Sequence, residues 1–109
     1  MNNFLYKILF IINFKKKILP IILKDYFSKK ILTLVWGNKI NIIETFFFKK
    51  PCYWSRSKKL FWRKGYYSNN IQILIKIKFD CDLDTFLFLI SSFKNNCHYN
   101  LFSCFNYNL

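Results

Sequence analysis

Apolar and polar positions change rhythm along this chain, and the rhythm divides it into short elements. Ile71, Ile73, Ile75 and Ile77 alternate with Gln72, Leu74, Lys76 and Lys78, the period-two pattern of a strand, whose side chains point to opposite faces in turn. Thr85 to Ile90 continues as another apolar strand. Upstream, Ile18 to Leu23 and Ile31 to Trp36 read as two strands joined by the polar turn Asp25 to Lys30, a hairpin. Pro20 marks the start or an edge of its strand, because it has no N–H to give to a ladder. One segment keeps a helical spacing instead. Asn38 can cap it through its side-chain oxygen, and Ile40, Ile43 and Phe47 follow three and four residues apart as one apolar stripe. Lys49 to Pro51 ends the helix, and Tyr53 begins a further strand. The expected fold class is therefore α+β, a small single domain over residues 18–109 with mainly antiparallel sheet and one helix. Met1 to Lys17, apolar and lysine-rich without a clean period, reads as a loosely docked extension, a first strand, or an amphipathic segment on a membrane surface.

Composition adjusts this picture in two ways. With 109 residues, 53% of them hydrophobic and none of them alanine, the chain has material for one modest core packed by Phe, Ile and Leu. Its net charge of +13 suggests a polyanionic partner. The excess of Lys, Asn, Ile, Phe and Tyr is also what A/T-rich codons impose, which weakens the charge as a functional signal. No secretory pattern is visible: Lys7 interrupts the first apolar run and Lys15, Lys16 and Lys17 follow it, with no small-residue cleavage site. No apolar run approaches the length of about 18 residues that spans a bilayer. A cytoplasmic protein with reduced thiols is expected.

The rare side chains are gathered in one place. Three of the five carboxylates stand in Asp80-Cys81-Asp82-Leu83-Asp84, and three of the four cysteines, Cys81, Cys97 and Cys104, share that region with the single histidine, His98. As a continuing strand, this stretch would set Asp80, Asp82 and Asp84 on one face and Phe79, Cys81 and Leu83 on the other, with same-face neighbours about 7 Å apart. Three carboxylates so placed repel unless a cation sits among them. Oxygen ligands suit a hard ion such as Mg2+, and thiolates suit zinc. Three protein ligands leave zinc a fourth position, the arrangement of a catalytic site.

A second concentration runs from Tyr53 to Gly65, with both arginines, Arg56 and Arg63, and two tryptophans, Trp54 and Trp62. Its hydroxyl, guanidinium and ammonium groups can hold phosphate oxygens, and its rings can stack on a purine. The same residues also describe a solvated basic face over core aromatics, or a single-stranded nucleic-acid binder.

Taken together, Tyr53-Trp54-Ser55-Arg56-Ser57-Lys58-Lys59-Leu60, then Trp62-Arg63-Lys64-Gly65, then Asp80 to Asp84, then Cys97-His98 and Ser103-Cys104-Phe105 resemble phosphoribosyl-AMP cyclohydrolase, from about Leu19 to Phe105. Cys97 follows Cys81 by 16 positions and Cys104 follows Cys97 by 7, which makes the match specific. The resemblance implies an interlocked cytoplasmic homodimer in histidine biosynthesis that hydrolyses the N1–C6 bond of the adenine ring of phosphoribosyl-AMP, a small-molecule nucleotide, with neither nucleic acid nor membrane as partner. It implies one zinc per subunit, shared across the dimer by Cys81 of one subunit and Cys97 and Cys104 of the other, and magnesium at Asp80, Asp82 and Asp84. His98, beside a zinc ligand, is the candidate for moving the proton, and Ser55, Arg56, Ser57 and Lys64 are candidates for holding phosphate and ribose. The chain ends just past Cys104, so the pyrophosphohydrolase domain fused to some relatives is not expected.

Some positions depart from the family pattern. Tyr66 stands where a glutamate is usual, Asn69 and Asn100 where glycine is usual, and Tyr99 where threonine is usual. Asparagine can still adopt a left-handed turn, but a phenol cannot replace a carboxylate. Cys52 has no counterpart among the zinc ligands and reads as a packing residue or an incidental thiol. Two rival functions remain: a degenerate dimer that keeps zinc only as a staple, and a basic RNA-binding module, which would show steeply salt-dependent binding.

Overall fold

Among the described residues, the first regular element begins at Leu19. The computed structural model describes residues 18–63, 72–81, 84–92 and 101–109. Along the described residues run β1 (Leu19–Asp25), β2 (Ile31–Gly37), α1 (Lys39–Phe48), β3 (Cys52–Ser55), β4 (Leu60–Arg63), β5 (Gln72–Phe79) and β6 (Phe86–Ser92). Four strands form a sheet in the order β2-β1-β6-β5, and β3 and β4 form a separate two-stranded ribbon. The pairings β1–β2, β5–β6 and β3–β4 are antiparallel, whereas β1 and β6 run parallel. The expected mainly antiparallel α+β domain is present, with a mixed sheet and one helix among the described residues.

The β1–β2 hairpin follows its sequence signals closely. Asp25 accepts the Ser28 N–H through its carboxylate at 2.7 Å, its carbonyl accepts the Lys29 N–H at 2.9 Å, and Lys29 takes a left-handed φ of 65°. An aspartate that bonds the backbone three residues on is what closes a turn without glycine. Pro20 lies one position before the pairing with β6 begins at Ile21↔Phe86, so its missing N–H costs the central ladder nothing.

The core lies on one face of the sheet. Leu19, Ile21 and Leu23 of β1, Phe86, Phe88 and Ile90 of β6, and Leu74 of β5 are buried there, joined by Leu32, Ile42 and Tyr53. In β5 the alternation that marks the strand points the isoleucines outward: Gln72 and Leu74 are buried while Ile73 and Ile75 are exposed. A register shift between Leu74 and Lys76 then brings Ile77 back against the core. Such a bulge inserts one unpaired residue and reverses the faces beyond it.

Gly37 closes β2 under close contact. A Cβ there would stand 2.6 Å from Ile21 Cδ1, and Ile21 is fully buried. Gly37→Ala is expected to destabilise the fold by about 1–3 kcal/mol through overpacking, read as a lower urea midpoint; an unchanged midpoint would show that Ile21 repacks freely.

The helix turns inward a face other than its apolar stripe. Asn38 caps it as predicted, in a reciprocal box in which the Asn38 carbonyl oxygen of the side chain accepts the Asn41 N–H at 2.9 Å and the Asn41 side chain accepts the Asn38 N–H at 3.0 Å. The buried residues are Asn41, Ile42 and Thr45, however, while Ile40 and Phe47 of the predicted stripe are exposed along with Phe48. Polar groups win the inward face because β3 supplies their partners. Thr45 Oγ1 accepts the Cys52 N–H at 2.9 Å, and Asn41 Nδ2 donates to Cys52 Sγ at 3.2 Å. Buried polar atoms that are hydrogen-bonded carry little penalty. Cys52 is thus a buried packing residue, as its sequence context indicated. No helix among the described residues is long and apolar enough to cross a membrane.

Candidate active site

Three of the phosphate-binding candidates, Ser55, Arg56 and Ser57, sit on the ribbon β3–β4, whose turn spans residues 56–59 between the paired Ser55 and Leu60. The Lys59 N–H donates to the Ser55 carbonyl at 2.8 Å, the Lys58 N–H donates to Ser55 Oγ at 3.3 Å, and Ser55 Oγ lies 3.4 Å from Ser57 Oγ. Lys59 closes the turn in a left-handed conformation, φ 54°, where glycine would be unstrained. That strained lysine is why no turn signal is legible there, and the sequence pattern gives only the strand that begins at Tyr53, not β4. The ribbon is held from behind by Tyr53, which is fully buried and donates from its hydroxyl to Gln72 Oε1 at 2.8 Å. Burial, with a smaller contribution from neighbouring Cys52, pushes the Tyr53 hydroxyl well above the usual phenol range, so it stays a donor. The Leu74 N–H also donates to the Lys49 carbonyl at 2.8 Å, fixing the helix end to β5.

Arg56 is exposed at the turn, and its guanidinium carbon lies 4.4 Å from the centroid of the Trp36 ring. Trp36 is half-buried near the end of β2. Reasoning from sequence had placed it only in a strand. Nothing in the chain pattern links residue 36 to residue 56; the link is tertiary.

Asp80, Cys81 and Asp84 stand outside any strand, which corrects the reading of this stretch as a continuing strand. β5 ends at Phe79, paired with Phe86 at the start of β6, so the chain reverses between them. The Asp80 N–H donates to the Thr85 carbonyl at 3.1 Å, the Asp84 N–H donates to Asp80 Oδ1 at 3.1 Å, and Thr85 Oγ1 donates to Asp84 Oδ1 at 3.4 Å. The antiparallel pairing of β5 with β6 demands the reversal, and Asp80 is used to close it. Asp80 and Cys81 are exposed on this loop, with Asp84 half-buried; Asp82 lies outside the described residues.

Cys104 is placed by the C-terminal segment. Its N–H donates to the Leu32 carbonyl at 2.6 Å, and Ser103 Oγ donates to the Ile31 carbonyl at 2.6 Å. Among the described strands β2 is at an edge of the sheet, and the segment satisfies carbonyls that a strand edge otherwise leaves open. Because β1 is parallel to β6 and antiparallel to β2, the loop bearing Cys81 lies at the opposite end of the sheet from the start of β2, where Cys104 docks. Strands β1 and β6 also separate β5 from β2, three spacings of about 4.8 Å, or on the order of 14 Å. Zinc binds each thiolate at about 2.3 Å, so one chain in this arrangement does not bring both sulfurs to one ion. Among the described residues no three His, Cys, Asp or Glu side chains gather at a point. Cys97, His98 and Lys64 lie outside the described residues, as do Tyr66, Asn69, Tyr99 and Asn100.

Both thiols have the chemistry of zinc ligands: neither is in a disulfide, Cys81 is exposed and Cys104 half-buried. The two described carboxylates of the acidic triplet, Asp80 and Asp84, have the oxygen chemistry of magnesium ligands and stand on either side of that exposed thiol in the chain.

The chain matches a family model described as phosphoribosyl-AMP cyclohydrolase over residues 33–106, a span that contains every candidate site residue. It is 38% identical over 91 residues to the phosphoribosyl-AMP cyclohydrolase of Archaeoglobus fulgidus, covering 84% of each chain. It is 40% identical to those of Hydrogenovibrio crunogenus, over 81% of this chain and 60% of that one, and of Chlorobium phaeobacteroides, over 84% of this chain and 66% of that one. The chain therefore spans about three fifths to two thirds of the length of these last two relatives. With a specific model matched across most of its length, this chain belongs to the phosphoribosyl-AMP cyclohydrolase family.

Proposed function

We propose that this protein hydrolyses the N1–C6 bond of the adenine ring of 1-(5-phosphoribosyl)-AMP, a step of histidine biosynthesis, and does so as a cytoplasmic homodimer with zinc and magnesium. The observation that carries the reading is the family match over residues 33–106, within which the acidic, thiol and basic motifs all fall. The product is the formimino-aminoimidazole carboxamide ribonucleotide. Cys81 from one subunit and Cys97 and Cys104 from the other would hold zinc, and the distance between Cys81 and Cys104 within one chain supports that division. The exposed apolar residues Ile40, Phe47 and Phe48 on the helix support a partner subunit as well, since a face of that kind is seldom left in water.

Zinc, when bound, supplies the Lewis acidity that brings a water's pKa toward neutrality. The work of the chain's own residues is binding and proton movement. Arg56 presents a planar fork suited to phosphate or vicinal oxygens, Ser55 and Ser57 add hydroxyl donors on the same turn, and Lys64 adds a point charge. Asp80, Asp82 and Asp84 would hold magnesium against the substrate's phosphates. His98 carries the proton from the attacking water to N1 as the C6–N1 bond opens, a task suited to a group that titrates near neutrality.

The test is ring opening followed by ultraviolet absorbance, with zinc-loaded protein, phosphoribosyl-AMP and magnesium. Turnover abolished by chelation and restored by zinc is the expected result. A dimer that holds zinc and shows no turnover would instead favour the structural-staple reading and direct attention to Tyr66.

A further inference from the structure

We infer that Trp36 is a positioning residue for the site: its ring holds the Arg56 guanidinium in place for a phosphate or ribose oxygen of the nucleotide. The inference rests on the proposed function only in taking Arg56 as a substrate contact. Arg56 sits at the first position of an exposed four-residue turn, where a long side chain would otherwise sample many rotamers. Among the described residues it makes no ion pair, and its guanidinium carbon lies 4.4 Å from the Trp36 centroid, well inside the roughly 6 Å at which a cation is held by an indole face. A guanidinium that lies flat on an indole keeps its N–H edge for an incoming oxygen. Trp36 itself is fixed: it is half-buried, paired with Pro20 in the β1–β2 ladder, and followed at once by the tightly packed Gly37. A rigid ring on the main sheet thus sets the reach of a mobile side chain on the separate ribbon. Ordering Arg56 before the ligand arrives removes part of the entropic cost of binding.

The experiment compares wild type, Trp36→Leu, Trp36→Phe, Arg56→Ala and the double variant Trp36→Leu/Arg56→Ala, all zinc-loaded. Two quantities are read: KM and kcat for phosphoribosyl-AMP with magnesium, and the Kd of AMP by calorimetry. Trp36→Leu is expected to raise KM and the AMP Kd about two- to fivefold, the strength of an exposed cation–π contact, with a smaller change in kcat. Trp36→Phe, which keeps a ring in the strand, gives a smaller rise and serves even where Trp36→Leu does not fold. In the Arg56→Ala background, Trp36→Leu adds nothing further. An unchanged KM and Kd, an equal rise with and without Arg56, or a wild type that binds no AMP would each overturn the inference. A wild type that binds AMP without turning over phosphoribosyl-AMP would defeat the proposed reaction while the AMP measurements still decide the role of Trp36.

Discussion

Cys97→Ala is expected to lose zinc and turnover together, with activity falling on the order of a thousandfold as several kcal/mol of barrier stabilisation disappears. The physical reason is the ligand count. Three protein thiolates leave one position for chemistry, and two hold the ion too weakly and in the wrong geometry. Metal content by atomic absorption and turnover by absorbance should fall in the same variant, while the thermal transition of the fold, whose described core contains none of the three thiols, should persist. The division of ligands between subunits adds a stronger form of the same prediction. In a mixture of Cys81→Ala and Cys97→Ala proteins, a mixed dimer pairs the intact Cys81 of one subunit with the intact Cys97 and Cys104 of the other, and so rebuilds one site. Random exchange makes about half of the dimers mixed, each with one working site of two, so about a quarter of wild-type activity should return for a symmetric twofold assembly. Two inactive parents that stay inactive after verified exchange would rule out sharing.

Phe88→Ala is expected to cost the most stability of any single truncation in the described core, about 3–5 kcal/mol. Phe88 is fully buried on β6, the strand that joins β1 to β5, and stands opposite Leu23 on one side and Ile77 on the other. Its ring also meets Phe86 edge-on, with centroids 6.4 Å apart. With β6 hydrogen-bonded on both edges, the backbone cannot sag into the cavity, so the lost contacts are not recovered. A domain of this size has a total stability of about 5–15 kcal/mol, and the loss should appear as a large fall in the urea midpoint at unchanged slope. A loss below about 1 kcal/mol would mean that the ring does not pack as described.

Some elements were legible because their signals are local. Asn38 caps the helix with a side chain that reaches only three residues, and Asp25 closes its turn over the same span; neither depends on the rest of the molecule. The family was legible for a related reason: thiols, carboxylates and an imidazole at fixed intervals form a motif by type and spacing, whatever the backbone does between them.

The structure decided what periodicity leaves open. The stripe Ile40, Ile43 and Phe47 identifies a helix, but the face that turns inward is Asn41, Ile42 and Thr45, because Cys52 on β3 offers those polar atoms their partners. The Asp80 to Asp84 alternation looks like a strand until Phe79 pairs with Phe86 and forces a reversal between them. The β3–β4 ribbon has no glycine in its turn and relies on Lys59 at positive φ.

By itself, then, the sequence determined where the helix and most strands begin and to which family the chain belongs, since capping, alternation and motif spacing are written in the order of the residues. Only the tertiary structure decided which helix face is buried, how far Cys81 stands from Cys104, and that Trp36 lies under Arg56. Those depend on contacts between segments distant in the chain, where a polar pair or a strand register outweighs the local pattern.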